Sequence, residues 1–568
     1  MHMYIDMSGS VKKLLLFTLL LTTVQSAYHE QTSYDVIVYA ATPAGIAGAI
    51  AARVSGAQSV LLIEPTSYVG GMASPGGIGL RDCVKDEIRI NNSTQYLWAM
   101  RNAAFYGTTE PVWQPDNWLG ELNFRNMLND YDVELRLNTN FVEGRDGVKT
   151  AIENGERRIT EIILEAGETL AAKYFIDASY EGELMMATGY VEYTFGREGR
   201  DKYNEWRGGV SNGSLSQFKV PVKARVNDKD GPVLLKYVQN GSDPRTIVGT
   251  SDKNLMSYSF RVCLTSDPNN SVPIPEPPGY DPRDFELSRR LNLQDIRFQD
   301  TIERPWQNLE YKGYPGEILR SYKFDACCGS ASVGIDAVGL AVGYATANRT
   351  QRKQFYNAHK YYVQGLMWFW VSDPSVPDID RVIYRSYGLC KDEWPENNHF
   401  PPQLYVREAV RMIGDKVYVQ QDRIPALLKC RDDSIAIADW AFDIHDMQRV
   451  AVLADDKETL IVFNEGLTSY DTGGIFVFEI PYYTLLPKRQ ELVNLAVPNC
   501  PSVSHVAFSA IRVEPTLWQM GQAAGTAAGI GLLEGGVPPF HDVPLNKIQA
   551  SLVQQQKSFI HWPPRQHC

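Results

Sequence analysis

Two of the nine histidines sit where proton transfer is chemically plausible. Imidazole titrates near neutrality, so it is the natural group to take a proton from a hydroxyl or amine while the adjoining carbon is oxidised. His505 lies in the loop after NLAVPN and ahead of a small-residue helix, with Arg512 and Glu514 in the same connection, placed to orient a bound molecule. His445 follows Asp443 by two residues, a spacing that on a strand puts both on one face and lets the carboxylate orient the ring. For each histidine the bland alternative is a hydrogen-bonded structural residue. His2, His29, His541, His561 and His567 lie near the chain ends and are weaker candidates.

Arg407 and Arg411 in QLYVREAVRM read as one helical turn apart, a cationic face for a carboxylate; alternatively Glu408 neutralises Arg411 on a solvated helix. Tyr361, Tyr362, Trp368 and Trp370 line either an aromatic pocket or simply core. No C-x-x-C and no regular Cys/His spacing occurs, so no metal site is expected.

The element that must position this chemistry is at the start of the chain. Residues 35–64 give an apolar strand (DVIVYAA), a TPAG turn, a small-residue helix and a second strand ending in Glu64. That order suits an adenine dinucleotide: a helix N-terminus and backbone N–H groups face the pyrophosphate, while the acid holds a ribose hydroxyl. Aligned on G-x-G-x-x-G, the three glycine positions hold Ala40, Thr42 and Gly45. Gly45 permits close helix–sheet approach. The Ala40 methyl is tolerable if its φ is negative, and the Thr42 hydroxyl is able to donate to a phosphate oxygen. Gly70, Gly71 and Met72 in YVGGM follow, a stretch whose backbone can lie against a cofactor. An ordinary βαβ unit with a flexible loop is the alternative.

The 568 residues, 44% hydrophobic and 21% charged, are an ordinary globular composition with length for more than one core. A net charge of -12 argues against nucleic acid or anionic membrane as a bulk partner. Lys12 and Lys13 precede an apolar run, Leu14 to Leu21, with small residues at Ser26 and Ala27, so residues 1–27 read as a cleaved export signal. The run is too short to span a bilayer and no later one is long enough, so a secreted protein without a membrane span is expected. Sequons at Asn91, Asn92, Asn212, Asn240, Asn269 and Asn348 and eight cysteines suit a glycosylated, disulfide-bearing protein. Adjacent Cys327 and Cys328 form a vicinal disulfide, pair separately, or remain thiols.

Along the chain, ELNFRNMLNDY reads as a helix, VELRLNTNFVEG and RRITEIILEAG as strands, and ETLAAKYFIDASYEGELMMATGY as a strand running into a helix. These predict a parallel sheet carrying an antiparallel ribbon. Residues 192–322 are rich in Pro, Gly and Asn and read as loop-heavy. From Ala331 small-residue helical spacing resumes; ELVNLAVPN reads as a buried strand, and WQMGQAAGTAAGIGLL as a helix with a small face.

Taken together, DVIVYAATPAGIAGAIAA, EPTSYVGGM, YFIDASYEGELMMATG, PPQLYVREAVRM, SHVAFSAIRVEP and GQAAGTAAG resemble the FAD-dependent oxidoreductase family of the glutathione-reductase-like flavoproteins, from about Tyr34 to Leu533. The resemblance accommodates Thr42, while Ala40 and Cys327-Cys328 depart from it. It implies an α/β protein, with a Rossmann-like FAD-binding domain split between 30–200 and 490–540 and a discontinuous α+β substrate domain at 200–490. It implies Pro43, Ala44 and Gly45 at the pyrophosphate, Glu64 at the ribose, Gly70, Gly71 and Met72 beside the pyrophosphate or ribityl chain, and Val142 at adenine. Asp177 and Ala178 form a second loop near the dinucleotide, and Gly521, Gln522 and Ala523 meet the flavin pyrimidine at a helix N-terminus. The implied activity is oxidation of an alcohol or amine carbon of a small molecule or sugar by hydride transfer to flavin N5. His505 or His445 accepts the proton, and oxygen or a diffusible acceptor takes the electrons. The competing expectation is a non-catalytic binding protein on a degenerate flavoprotein scaffold.

Overall fold

A computed structural model describes residues 32–80, 93–227, 233–292, 323–327, 331–423, 431–468 and 477–561. The export signal, Asn91, Asn92, Cys83, Cys328, Cys430 and Cys568 lie outside the described residues.

Strand β1 (Ser33–Tyr39) is buried along nearly its whole length, as the apolar run Val36–Tyr39 requires of a central parallel strand. It pairs in parallel with β2 (Val60–Ile63) on one side, and β2 pairs in parallel with β3 (Glu134–Arg136). The ribbon β4 (Val148–Glu153) and β5 (Glu156–Ile163) is antiparallel, and β5 joins β6 (Thr169–Asp177), which pairs in parallel with the other side of β1. The order is therefore β3-β2-β1-β6-β5-β4, with the distant segment Leu495–Ala496 added in parallel to β6.

Alternation along β1 divides the core. Val36 and Val38 pack with helix α1 (Pro43–Val54), whereas Ile37 and Tyr39 face the opposite side with Phe175 and the middle of the chain. That second side includes α2 (Arg349–Ser372), whose Tyr362, Leu366, Phe369 and Trp370 are core residues. Past the short helix α3 (His505–Ile511) runs α4 (Glu514–Leu533), laid across α1. Gly521, Gly525 and Gly529 allow this approach: a Cβ at Gly525 would sit 1.9 Å from the Gly48 carbonyl oxygen, and one at Gly521 2.0 Å from that of Ala44. Among the described residues, the middle of the chain adds a four-stranded sheet and three two-stranded ribbons, with Cys263 and Cys390 joined by a disulfide.

Several expected elements differ. VELRLNTNFVEG forms strand only over Glu134–Arg136, and the stretch from Ala331 is a succession of turns before α2. QLYVREAVRM is extended, not helical: Val410–Met412 pairs with Tyr193–Phe195. Arg407, Glu408 and Arg411 are buried in ion pairs, and those partners override the helical spacing. Asp443 and His445 lie in an extended segment outside any strand, yet their side chains do meet. No helix among the described residues is long and apolar enough to cross a membrane.

Candidate functional site

The C-terminal ends of β1, β2 and β6 open onto a cavity of about 430 Å³. Its walls include Ala40 and Thr42 from the first turn, Glu64, Gly71, and Ser179, Tyr180 and Glu181 after β6. Residues 40–71 and the loop at 179–181 thus converge where a doubly wound sheet binds its ligand.

Thr42 closes this cradle. Its hydroxyl donates to the Ala178 carbonyl at 2.9 Å and accepts from the Gly45 N–H at 3.2 Å, capping α1. Asn499 adds its amide, donating to the Ala178 carbonyl at 2.7 Å and to Thr42 Oγ1 at 3.3 Å. The hydroxyl hydrogen expected to reach a phosphate is therefore already committed within the protein. Ala40 adopts φ of +77°, contrary to the negative value its methyl favours; left-handed backbone costs an L-residue roughly 1–2 kcal/mol. The turn keeps glycine geometry without glycine.

Glu64 is buried, its Oε2 accepting the Ala41 N–H at 2.8 Å and its Oε1 accepting the Thr66 N–H at 2.9 Å and hydroxyl at 2.7 Å. Burial pushes its carboxyl up to about 7, against the opposing pull of those donors. About one acceptor site remains for a ribose hydroxyl, since a carboxylate offers about four and three are taken. Gly70 and Gly71 both take positive φ, and a Cβ at Gly71 would meet Tyr180 Oη at 2.6 Å and Thr42 Cα at 3.2 Å. Tyr180 accepts the Met72 N–H at 2.9 Å and donates to Glu514 at 2.7 Å, tying the glycine loop to the start of α4. Asp177 accepts from Ser179 and Met185 and shapes the second loop; burial pushes its carboxyl up to about 6.

Two placements change. Val142 gives its N–H to the Ile163 carbonyl at 2.7 Å, and Asn140 lines the cavity instead. Gly521, Gln522 and Ala523 lie two turns inside α4, not at its N-terminus; Gly521 packs on Ala44, and Gln522 donates to Gln556 and Ser558. The residues at the helix start are Glu514 and Pro515.

The catalytic candidates fall in two buried charge clusters. In the first, His505 begins α3, with Nδ1 2.9 Å from Glu408 Oε2 and Nε2 without a hydrogen-bond partner among the described residues. Burial disfavours the Glu408 charge, but His505 and Arg411 outweigh it and hold the carboxyl below its usual range. Arg411 also pairs with Glu198 at 2.7 Å. In the second, His445 is clamped between Asp336 (2.9 Å from Nδ1) and Asp443 (3.2 Å from Nε2). Burial and the Arg407 charge lower the His445 pKa, yet the two carboxylates prevail and raise it. Arg512 pairs with Asp443 at 2.7 Å and donates to the Tyr405 hydroxyl at 3.1 Å; Arg407 pairs with Asp336 and stacks 4.7 Å from the Tyr405 ring centroid. Tyr405 packs with Met72 and Tyr180, which joins this cluster to the glycine loop.

Sequence reasoning missed Asn499, which ties Thr42 to Ala178, and, on the cavity wall, Tyr180 and the α2 residues Arg349, Arg352 and Lys353. Asn499 ends the buried VPN segment, the one signal that pointed to it. Among the described residues no cluster of His, Cys, Asp and Glu forms a metal site.

A cradle at the ends of the parallel strands of such a sheet is the architecture of a dinucleotide-binding protein. The FAD dependent oxidoreductase family model matches residues 35–552, and the chain belongs to that family. Its cofactor is FAD, and the cavity fits it: the glycine loop leaves the room a Cβ would fill, and the volume falls within the roughly 300–1,000 Å³ of small-molecule sites. Similar solved structures include THI4 of Thermovibrio ammonificans (14% identity over 37% of this chain and 76% of that one, TM-score 0.22). Others are the L-proline dehydrogenase of P. horikoshii (14%, 29% and 59%, TM-score 0.22) and the thioredoxin reductase of T. acidophilum (19%, 30% and 41%, TM-score 0.17). No curated sequence matches this chain.

The raised Glu64 pKa makes a pH prediction. The folded apoprotein binds the Glu64 proton more tightly than the unfolded chain, so that contribution to stability is complete below about pH 4.5 and is lost as pH rises through about 7. Urea unfolding of wild-type and Glu64→Gln apoprotein between pH 4.5 and 8 should show the wild type losing on the order of 3 kcal/mol relative to the variant. Parallel curves would contradict the assignment.

Proposed function

We propose that this FAD-dependent oxidoreductase is an exported enzyme that oxidises an alcohol or amine carbon of a small molecule or sugar, with His505 accepting the proton. The observation that carries the reading is the Glu408–His505 pair. A carboxylate only accepts, so Nδ1 carries the hydrogen and the Nε2 lone pair is left to act as base. His445, paired at both nitrogens, is suited to fixing positive charge instead.

FAD, when bound, would supply the hydride acceptor at flavin N5, with oxygen or a diffusible molecule as the final electron acceptor. The protein supplies the rest. Glu64 and the Thr42–Ala178–Asn499 knot hold the nucleotide end. Tyr180 links the glycine loop to Glu514, and Arg512, fixed by Asp443 and Tyr405, orients the substrate side. As the substrate C–H bond gives up hydride, its hydroxyl or amine proton moves to His505 Nε2, and the imidazolium is balanced by Glu408. Residues 30–200 and 490–540 serve as the cofactor half and residues 200–490 as the substrate half, consistent with Leu495–Ala496 extending β6. Export is supported by the Cys263–Cys390 disulfide and by exposure of Asn212, Asn240, Asn269 and Asn348.

His505→Ala should slow anaerobic flavin bleaching by a true substrate about 10²–10⁴-fold while retaining bound flavin. Unchanged bleaching, or an equal loss carried only by His445→Gln, would remove His505 from this role. Protein collected from the medium of a eukaryotic host should lose mass on treatment with an N-glycan-cleaving amidase; retention inside the cell as a single unglycosylated species would overturn export.

A further inference from the structure

A dinucleotide carries two negative charges on its pyrophosphate, and the turn beneath them offers only neutral backbone donors, the N–H groups of Thr42, Ala44 and Gly71, and no cation. Pro43 has no N–H; the Gly45 N–H goes to Thr42, the Thr42 hydroxyl to Ala178, the Ala41 N–H to Glu64 and the Met72 N–H to Tyr180. The same cavity is lined by Glu64, Glu181 and Glu183, which oppose an anion wherever they are ionised.

Positive charge enters from the opposite wall. Arg349, Arg352 and Lys353, in the first turn of α2, line the cavity. Arg349 is occupied in joining the two halves of the protein: it donates to the Phe141 carbonyl at 2.6 Å, pairs with Glu165 at 2.9 Å and with Glu183 at 3.3 Å, and reaches the Tyr39 hydroxyl at 3.3 Å. Arg352 neutralises Glu183 through one terminal nitrogen, while its Nε has no hydrogen-bond partner among the described residues. Lys353 is exposed, with its ammonium 4.4 Å from the Tyr356 ring centroid and no carboxylate partner among the described residues. It is the cavity cation least committed elsewhere.

We propose that Lys353, seconded by Arg352, is the cation that binds the cofactor pyrophosphate, supplied by the substrate-half helix α2 and not by the nucleotide-binding turn. This rests on the FAD reading of the cavity. Arg352 removes the charge of Glu183 from the cavity wall, and Lys353 provides an ammonium with three donors to a phosphate oxygen. Because α2 belongs to the other half, the bound pyrophosphate adds a contact to the one Arg349 already makes.

The experiment compares ADP with adenosine, which differ by the charged group alone, by calorimetric titration of full-length apoprotein at two salt concentrations. Lys353→Ala should weaken ADP binding about tenfold, reduce its salt dependence and leave adenosine within about twofold, with Lys353→Arg close to wild type. Lys353 is exposed, so folding of the variant is not in question, and Arg352→Gln serves as the second variant, expected to act in the same direction. Equal weakening of ADP and adenosine, or no change in either, overturns the proposal. If wild-type apoprotein takes FAD but Lys353→Ala binds ADP normally, only this inference fails; if wild type takes neither FAD nor ADP, the cofactor reading fails first.

Discussion

The Thr42 hydroxyl is a single oxygen at which three separate segments meet. It caps α1 by accepting from Gly45, it donates to Ala178 beyond β6, and it receives the Asn499 amide from beyond Leu495–Ala496. The glycine loop runs against the same turn: a Cβ at Gly71 would lie 3.2 Å from Thr42 Cα, and Gly70 donates its N–H to the Ala41 carbonyl. A glycine at the same place would leave room for the phosphate but supply no such junction. The chain exchanges bare backbone for a side chain that fixes the loops, and accepts a left-handed alanine two residues earlier.

The same economy recurs in the middle of the chain, where charge rather than apolar surface sets the geometry. Arg512, Asp443, His445, Asp336 and Arg407 form a chain of pairs that begins and ends on Tyr405. Buried pairs of this kind contribute little net stability once desolvation is counted, but breaking one leaves an uncompensated charge at a cost of about 3–5 kcal/mol. Their effect is orientation: Tyr405 is held against Met72 and Tyr180, so the middle of the chain is registered on the glycine loop. The neighbouring Glu408–His505 pair differs in one respect: its Nε2 has no hydrogen-bond partner among the described residues, whereas both ring nitrogens of His445 face carboxylates.

The dinucleotide unit was legible from sequence because each of its elements is local. A buried parallel strand, a proline-started helix and an acid at the next strand end each have a short-range cause, and Glu64, Gly71 and the loop after Asp177 do converge on one cavity. Other assignments depended on partners far along the chain. Arg407 and Arg411 have helical spacing, yet Asp336 and Glu198 draw them into extended backbone. The small residues from Gly521 to Gly529 were legible as a close-packing face, but what they pack against, the backbone of α1, lies more than 450 residues away. The Thr42 hydroxyl could not be assigned to protein or phosphate without knowing where Ala178 and Asn499 come to rest.

The central claim is that the Thr42 hydroxyl serves as the internal clasp of the FAD cradle. Fluorescence titration of apoprotein with FAD tests it in Thr42→Ser and Thr42→Val. Retention of affinity in the serine variant, with a loss of about tenfold or more in the valine variant as buried donors and acceptors go unpaired, is the predicted result. A valine variant that binds FAD as tightly as the wild type would contradict the account.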